Sequence, residues 1–185
     1  MRIIGGDWGG RKIRPPHHMP HTRPTTDIAK EGLFNMVQHQ INLDGIATLD
    51  LFGGTGSISF ELASRGAREL TVVERDPAMY AFIKKTAAEL GLTGINLVRE
   101  DVFRFLKHCQ DQFDFIFAGP PYALKNIEDI PQLIAERGLI ADGGWFVLEH
   151  TPRNRFEGYP LYSFSRNYGT TVFSIFRKPS GHNSE

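Results

Sequence analysis

The 185-residue chain has one cysteine, Cys109, which excludes an internal disulfide framework and a cysteine-based zinc site. A lone thiol in such a chain reads as a small buried apolar side chain rather than a nucleophile. No apolar run approaches the ~20 residues of a membrane-spanning helix. Met1-Arg2-Ile3-Ile4-Gly5 has no signal-peptide core, so the expected location is cytoplasmic. Net charge is missing as well, with 21 basic residues against 21 acidic ones. Taken alone, that balance speaks against a polyanionic partner, but its distribution does not. Residues 1–26 carry Arg2, Arg11, Lys12, Arg14 and Arg23 against Asp7 alone. Such asymmetry suits either a polyanion-facing patch or an ordinary solvated hairpin. His17, His18 and His21 have no cysteine or acid following at ligand spacing, so they read as loop histidines and no metal is expected.

What is present is a single domain's worth of alternating strands and helices. Residues 2–4 and 11–14 flank a glycine-rich turn and read as a short basic hairpin, ended by Pro15 and Pro16. Thr25-Thr26-Asp27 is a helix start, after which Ile28, Phe34, Val37 and Ile41 recur at helical spacing with Leu33 beside them. Gly32 weakens that helix slightly. Strand 47–52 then leads to helix 57–65, strand 70–74 to helix 77–90, and strand 95–99 to helix 102–109. Strand 113–118 leads to a helix near 127–137 in which Pro131 is a candidate kink. Asp142-Gly143-Gly144 reads as a turn before strand 145–149, and 161–166 with 170–177 as a closing hairpin. Repeated βα units imply a mostly parallel sheet covered on both faces.

The chain is organised around Leu49-Asp50-Leu51-Phe52-Gly53-Gly54-Thr55-Gly56-Ser57: the end of a buried strand, a glycine turn, and a helix start. The glycines let a ligand approach the main chain, and the helix start offers free N–H groups. Two readings compete. In a dinucleotide fingerprint a third glycine would stand where the chain has Ser59, so a nicotinamide dinucleotide (NAD) oxidoreductase is weakly supported. Asp50 would oppose a pyrophosphate but suits the ammonium of a zwitterionic ligand, which points to S-adenosylmethionine. Glu74, closing the next strand, stands where an acid accepts from ribose hydroxyls. Asp101, after the third strand, lies on the same edge and suits an adenine amine.

Gly119-Pro120-Pro121-Tyr122 follows the fourth strand. Two successive prolines remove two donors and leave carbonyls, while Tyr122 offers a flat face. A planar base with an exocyclic amine could stack there and donate to a proline carbonyl.

These residues carry a resemblance. Asp50-Leu51-Phe52-Gly53-Gly54-Thr55-Gly56, Glu74, Asp101 and Pro-Pro-Tyr are similar to the motifs of class I S-adenosylmethionine-dependent amino-methyltransferases. More narrowly, Arg2-Ile3-Ile4-Gly5-Gly6, Gly10-Arg11-Lys12, Arg23-Pro24-Thr25-Thr26-Asp27, Glu31, Leu33-Phe34-Asn35 and Ser64-Arg65-Gly66-Ala67 resemble the RsmD family. That resemblance implies a Rossmann-like α/β fold with a seven-stranded, mostly parallel sheet, a C-terminal antiparallel hairpin, and an N-terminal β-hairpin plus helix. It implies direct methyl transfer to the exocyclic N2 of a guanine in 16S ribosomal RNA, on naked RNA or the small ribosomal subunit, by a chain expected to act as a monomer. S-adenosylmethionine would meet Asp50, Phe52, Gly53, Gly54, Thr55, Gly56, Ser57, Glu74, Arg75, Asp101 and Val102. Gly119, Pro120, Pro121 and Tyr122 would hold the target amine. Arg2, Arg11, Lys12, Arg14, Arg23 and Thr25 would meet RNA, with Arg23 and Thr25 in a loop over the site. Residues 1–44 would form the RNA-binding extension, 45–179 the cofactor-binding domain and 180–185 a tail.

One departure stands out. The family pattern has Asp or Asn before Pro-Pro-Tyr, and this chain has Gly119. A glycine supplies no side-chain acceptor, which implies a slower or differently supported enzyme, or a binding protein that has lost transfer.

Overall fold

The computed structural model describes residues 1–17 and 24–181. Helix α1 (Asp27–Gln40) is followed by β1 (Ala47–Leu51), α2 (Ser57–Ser64), β2 (Glu69–Val73), α3 (Pro77–Glu89), β3 (Ile95–Val98), α4 (Val102–His108), β4 (Phe113–Ala118), α5 (Asp129–Glu136), β5 (Ile140–His150), β6 (Tyr162–Tyr168) and β7 (Thr171–Arg177). The seven strands form one sheet in the order β3-β2-β1-β4-β5-β7-β6. β1 to β5 run parallel, and β7 pairs antiparallel with both β5 and β6. The chain therefore reverses direction across the sheet between β1 and β4, the switch point where open α/β sheets form their ligand crevice.

Alternation along the central strands sends side chains to both faces, and both are dry. Leu49, Leu51, Ile116, Ala118, Phe146 and Leu148 meet α4 and α5 on one side. Phe115, Phe117, Val147 and Phe173 meet α1 and α2 on the other. Beside the second layer, Ile3 of the N-terminal segment packs with Phe60, Val72 and Ile83, joining that segment to α2 and α3. Cys109 is buried at the end of α4. Burial pushes its thiol pKa up, away from the thiolate.

The helix starts follow their caps. Thr26, Asp76 and Asp101 each accept from a main-chain N–H of the following first turn. α5 begins two residues later than expected, which places Pro131 at its third residue. N–H groups of the first turn have no intrahelical partner, so a proline there need not kink the helix. Asp142-Gly143-Gly144 is not a separate turn. β5 already starts at Ile140, and its register against β4 jumps from Phe113↔Ile140 to Phe115↔Trp145. The extra residues bulge out of the ladder at the glycines, Gly143 having φ 77°.

α1 also corrects the expected apolar stripe. Ile28 is 78% exposed, whereas Lys30 is fully buried with Leu33, Phe34 and Val37. The Gly32 that weakened the helix has a packing reason: a Cβ there would run into the Tyr168 ring on the closing hairpin.

Candidate active site

At the end of β1 the main chain turns sharply. Phe52 takes φ 63°, a left-handed conformation uncommon for a non-glycine residue, and Gly54 and Gly56 follow with φ 59° and 80°. Gly53 N–H still donates to Val73 O, and Gly56 N–H to Gly53 O, so the loop is tied to β2 and to itself. A Cβ on Gly53 would lie 2.5 Å from Val72 Cγ1, which is why the loop can sit so close to the neighbouring strand. Gly56 caps α2 by conformation alone, with no side-chain hydrogen bond.

Three acids from successive strand ends line one cavity with this loop. Asp50 is buried, and its Oδ2 accepts from Ser59 Oγ–H at 2.7 Å. Burial raises its pKa to about 7; the Ser59 hydrogen bonds lower it and the negative charge of Glu74 raises it. Glu74 bridges the loop and the next helix start, accepting from Gly54 N–H and Asp76 N–H, each at 2.8 Å. A carboxylate has about four lone-pair sites, so acceptor capacity remains after these two bonds. Asp101 uses Oδ1 to accept from Arg104 N–H, while Oδ2 lies 3.8 Å from Arg75 Nη1 in an exposed ion pair.

These groups open onto a cavity of about 380 Å³ along the carboxyl ends of β1 to β4. Asp50, Phe52, Gly53, Gly54, Thr55 and Ser57 line it from the glycine loop. Glu74, Arg75, Asp101 and Val102 line it from the next two strand ends. Thr25, Gly119 and Pro121 form part of the opposite rim. Gly56 of the loop, the buried Pro120 and the half-buried Tyr122 do not line the cavity. Pro121 O accepts from Leu124 N–H, so that carbonyl already closes a turn. Arg2, Arg11, Lys12 and Arg14 are exposed on the N-terminal hairpin, away from this crevice. There Arg11, Lys12 and Arg14 border a second hollow with Lys85 and Glu89 of α3. Arg23 lies outside the described residues, as do His18 and His21. No group of three potential metal ligands occurs among the described residues.

Several participants escaped the sequence reading. Phe103, Phe117 and Leu124 supply apolar walls. Lys30 donates from Nζ to Arg2 O at 2.7 Å and to Ser57 Oγ at 3.0 Å, and pairs with Glu61 at 3.2 Å. Burial lowers the Lys30 pKa, partly offset by Glu61. Glu61 in turn accepts from Ile4 N–H and Gly5 N–H and from Arg65. Burial would raise the Glu61 pKa, but those hydrogen bonds and the Lys30 charge bring it below its usual value. A buried ion pair thus clasps the hairpin to the helix behind the glycine loop. Glu149, at the end of β5, is buried and accepts from Thr25 Oγ1–H at 2.6 Å. It continues the row of strand-end acids, and that rule would have found it.

A family model described as Conserved hypothetical protein 95 matches residues 1–177. The chain belongs to this family, the RsmD family. It is 32% identical over 188 residues to Ribosomal RNA small subunit methyltransferase D of Escherichia coli, covering all of this chain and 93% of that protein. It is also 32% identical to Putative rRNA methyltransferase YlbH of Bacillus subtilis, covering 96% and 99% of the two chains. Among solved structures, the putative methyltransferase yhhF of Escherichia coli superposes with a TM-score of 0.83 at 27% identity, covering 97% and 98%. The family match and the full-length likeness both take in the N-terminal hairpin, the glycine loop and the closing strands of this RsmD-family chain.

Proposed function

We propose that this chain transfers a methyl group from S-adenosylmethionine to the exocyclic N2 amine of a guanine in 16S ribosomal RNA. The observation that carries the reading is the crevice beyond β1 to β4, lined by Asp50, Glu74 and Asp101 on one side and Gly119 and Pro121 on the other. The full-length likeness to ribosomal RNA methyltransferases supports the substrate class. The donor set fits the cofactor piece by piece. Asp50, ionised, offsets the ligand's ammonium; Glu74 has lone pairs left for ribose hydroxyls; Asp101 can accept from adenine, with Val102 and Phe103 against the ring.

When bound, S-adenosylmethionine supplies an activated methyl group, so the protein's contribution is positioning. Tyr122 and the proline turn hold the base and the glycine loop fixes the donor, with no covalent enzyme intermediate. The hairpin and α1 form the RNA-recruiting extension, with Arg2, Arg11, Lys12, Arg14 and Arg23 on phosphates and Thr25 in the loop above the cavity. The protein acts as a monomer in the cytoplasm. Among the described residues no helix is long and apolar enough to cross a membrane.

Calorimetric titration with S-adenosylmethionine and with NAD, followed by labelled methyl transfer to 16S RNA from cells lacking this gene, tests the proposal. Binding of the first alone and transfer to that RNA are expected. Preference for NAD would overturn it, and binding without transfer to naked RNA or assembled particles would favour a protein that has kept the ligand and lost the reaction.

A further inference from the structure

An exocyclic amine presents two N–H donors, and a nucleophilic lone pair is aimed only when both are held. The β4 rim is poor in acceptors for that task. Gly119 has no side chain, and Pro121 O is already bonded to Leu124 N–H. β5 runs parallel to β4 with Ala118 beside Leu148, so the next pair, Gly119 and Glu149, leaves the sheet on the same face. A Cβ built on Gly119 would lie 3.9 Å from Glu149 Oε2 and 3.0 Å from Cε1 of Phe117. The Glu149 carboxylate therefore borders the space into which a short acid at residue 119 would project, with the Phe117 ring beside it. Its other oxygen is fixed by the Thr25 hydroxyl at 2.6 Å, and Thr25 itself lines the cavity.

We propose that Glu149 is the catalytic acceptor of this enzyme, supplying from β5 the carboxylate that β4 lacks at Gly119. The inference rests on the methyltransferase reading above. Glu149 Oε2 takes one N–H of the target amine, and a main-chain carbonyl of the Gly119–Pro120 step takes the other. The amine nitrogen forms a bond to the methyl carbon as the carbon–sulfur bond breaks with its electron pair on sulfur. The proton lost from nitrogen passes along the first hydrogen bond to the carboxylate and on to water. Thr25 acts through Glu149 as a positioning residue.

The test compares wild type, Glu149→Gln, Gly119→Asp and the double variant in transfer from labelled S-adenosylmethionine to small ribosomal subunits of cells lacking this gene. Glu149→Gln is expected to lose about 10²- to 10³-fold in kcat, the scale of one preorganised polar contact. Its KM for the particle and its melting temperature stay close to wild type. Gly119→Asp alone is slower than wild type, because two carboxylates then share one site. In the Glu149→Gln background the same change recovers at least about tenfold. Glu149→Gln within tenfold of wild type, or no recovery in the double variant, overturns the proposal. If Glu149→Gln fails to fold, Glu149→Asp, which retracts the carboxylate by one methylene, must show a loss of about tenfold. If wild type itself transfers nothing, the substrate reading has failed and calorimetry decides Glu149. Sinefungin, with an amine-bearing carbon in place of the methyl sulfonium, is expected to bind wild type about tenfold more tightly than S-adenosylhomocysteine, and Glu149→Gln to erase that difference. An unchanged difference in Glu149→Gln overturns the assignment.

Discussion

Ser59 Oγ–H donates to Asp50 Oδ2 across 2.7 Å in a buried contact at the floor of the crevice. The residue that breaks the dinucleotide pattern is therefore the one that steadies the acid lining the crevice. Burial raises the Asp50 pKa to about 7, so near neutrality the site is poised between proton and ligand cation.

The first expectation concerns pH. A bound ammonium favours the ionised acid, so affinity for S-adenosylmethionine should rise with pH up to about 7 and level off. Below that, binding should release a proton, detectable by calorimetry in buffers of different ionisation enthalpy. The stability sign is opposite. With its folded pKa above the unfolded value, Asp50 binds more protons folded than unfolded between about pH 4 and 7, so its contribution weakens as pH rises through that window. The full effect is on the order of 4 kcal/mol. Asp50→Asn should be more stable than wild type at pH 7.5, by a margin that shrinks toward pH 4.5, and should bind the cofactor more weakly.

The glycine loop gives a second. Gly53→Ala drives a methyl into Val72 Cγ1 at 2.5 Å, and the loop or β2 must shift. A loss of about 1–3 kcal/mol in stability is expected, as for overpacking. Cofactor affinity should fall in parallel, read by denaturation and calorimetry on the same protein.

Glu61 and Lys30 give a third. Removing one partner of a buried pair leaves the other uncompensated, so Glu61→Gln should destabilise by about 3–5 kcal/mol. Because Glu61 also accepts from Ile4 N–H and Gly5 N–H, limited proteolysis should release the hairpin first. The folded Glu61 pKa lies below its ordinary value, so its contribution is present above about pH 4.5 and is lost as pH falls through the folded pKa.

Much of this was legible beforehand, for physical reasons. The βα alternation, Asp76 before Pro77, and Asp101 before α4 are local signals, and local signals fix helix starts. Strand-end acids were legible because sheet topology brings strand ends together. The Lys30 burial was not. A lysine at helical spacing reads as solvated until a distant partner is known, and here that partner is Glu61 on another helix. The mirror case is Ile28, read as core from its period but left exposed because the face α1 buries passes through Lys30 instead. The β5 bulge hid behind Asp142-Gly143-Gly144, whose turn chemistry is the same in a bulge as in a loop.

Among the described residues, Thr48 Oγ1 is a buried side-chain oxygen with no hydrogen-bond partner. Thr48→Val keeps the shape and removes the unsatisfied group, so a gain of about 1 kcal/mol is expected. For a chain of this size that is a rise of about 2–4 °C in melting temperature. Methyl transfer should be unaffected.

The exposed hairpin charges give the last variant. Neutralising Arg11, Lys12 and Arg14 together should flatten the dependence of log affinity for RNA on log salt by about two to three, if each meets one phosphate. An unchanged slope would move the RNA-binding surface elsewhere.

The most direct measurement is nucleoside analysis of small-subunit RNA from cells lacking this gene after incubation with the purified protein and methyl-labelled S-adenosylmethionine. The expected result is label in N2-methylguanosine and in no other nucleoside. Label confined to a different base, or to a ring nitrogen of guanine, would contradict the placement of an exocyclic amine between the glycine loop and the Gly119–Tyr122 turn.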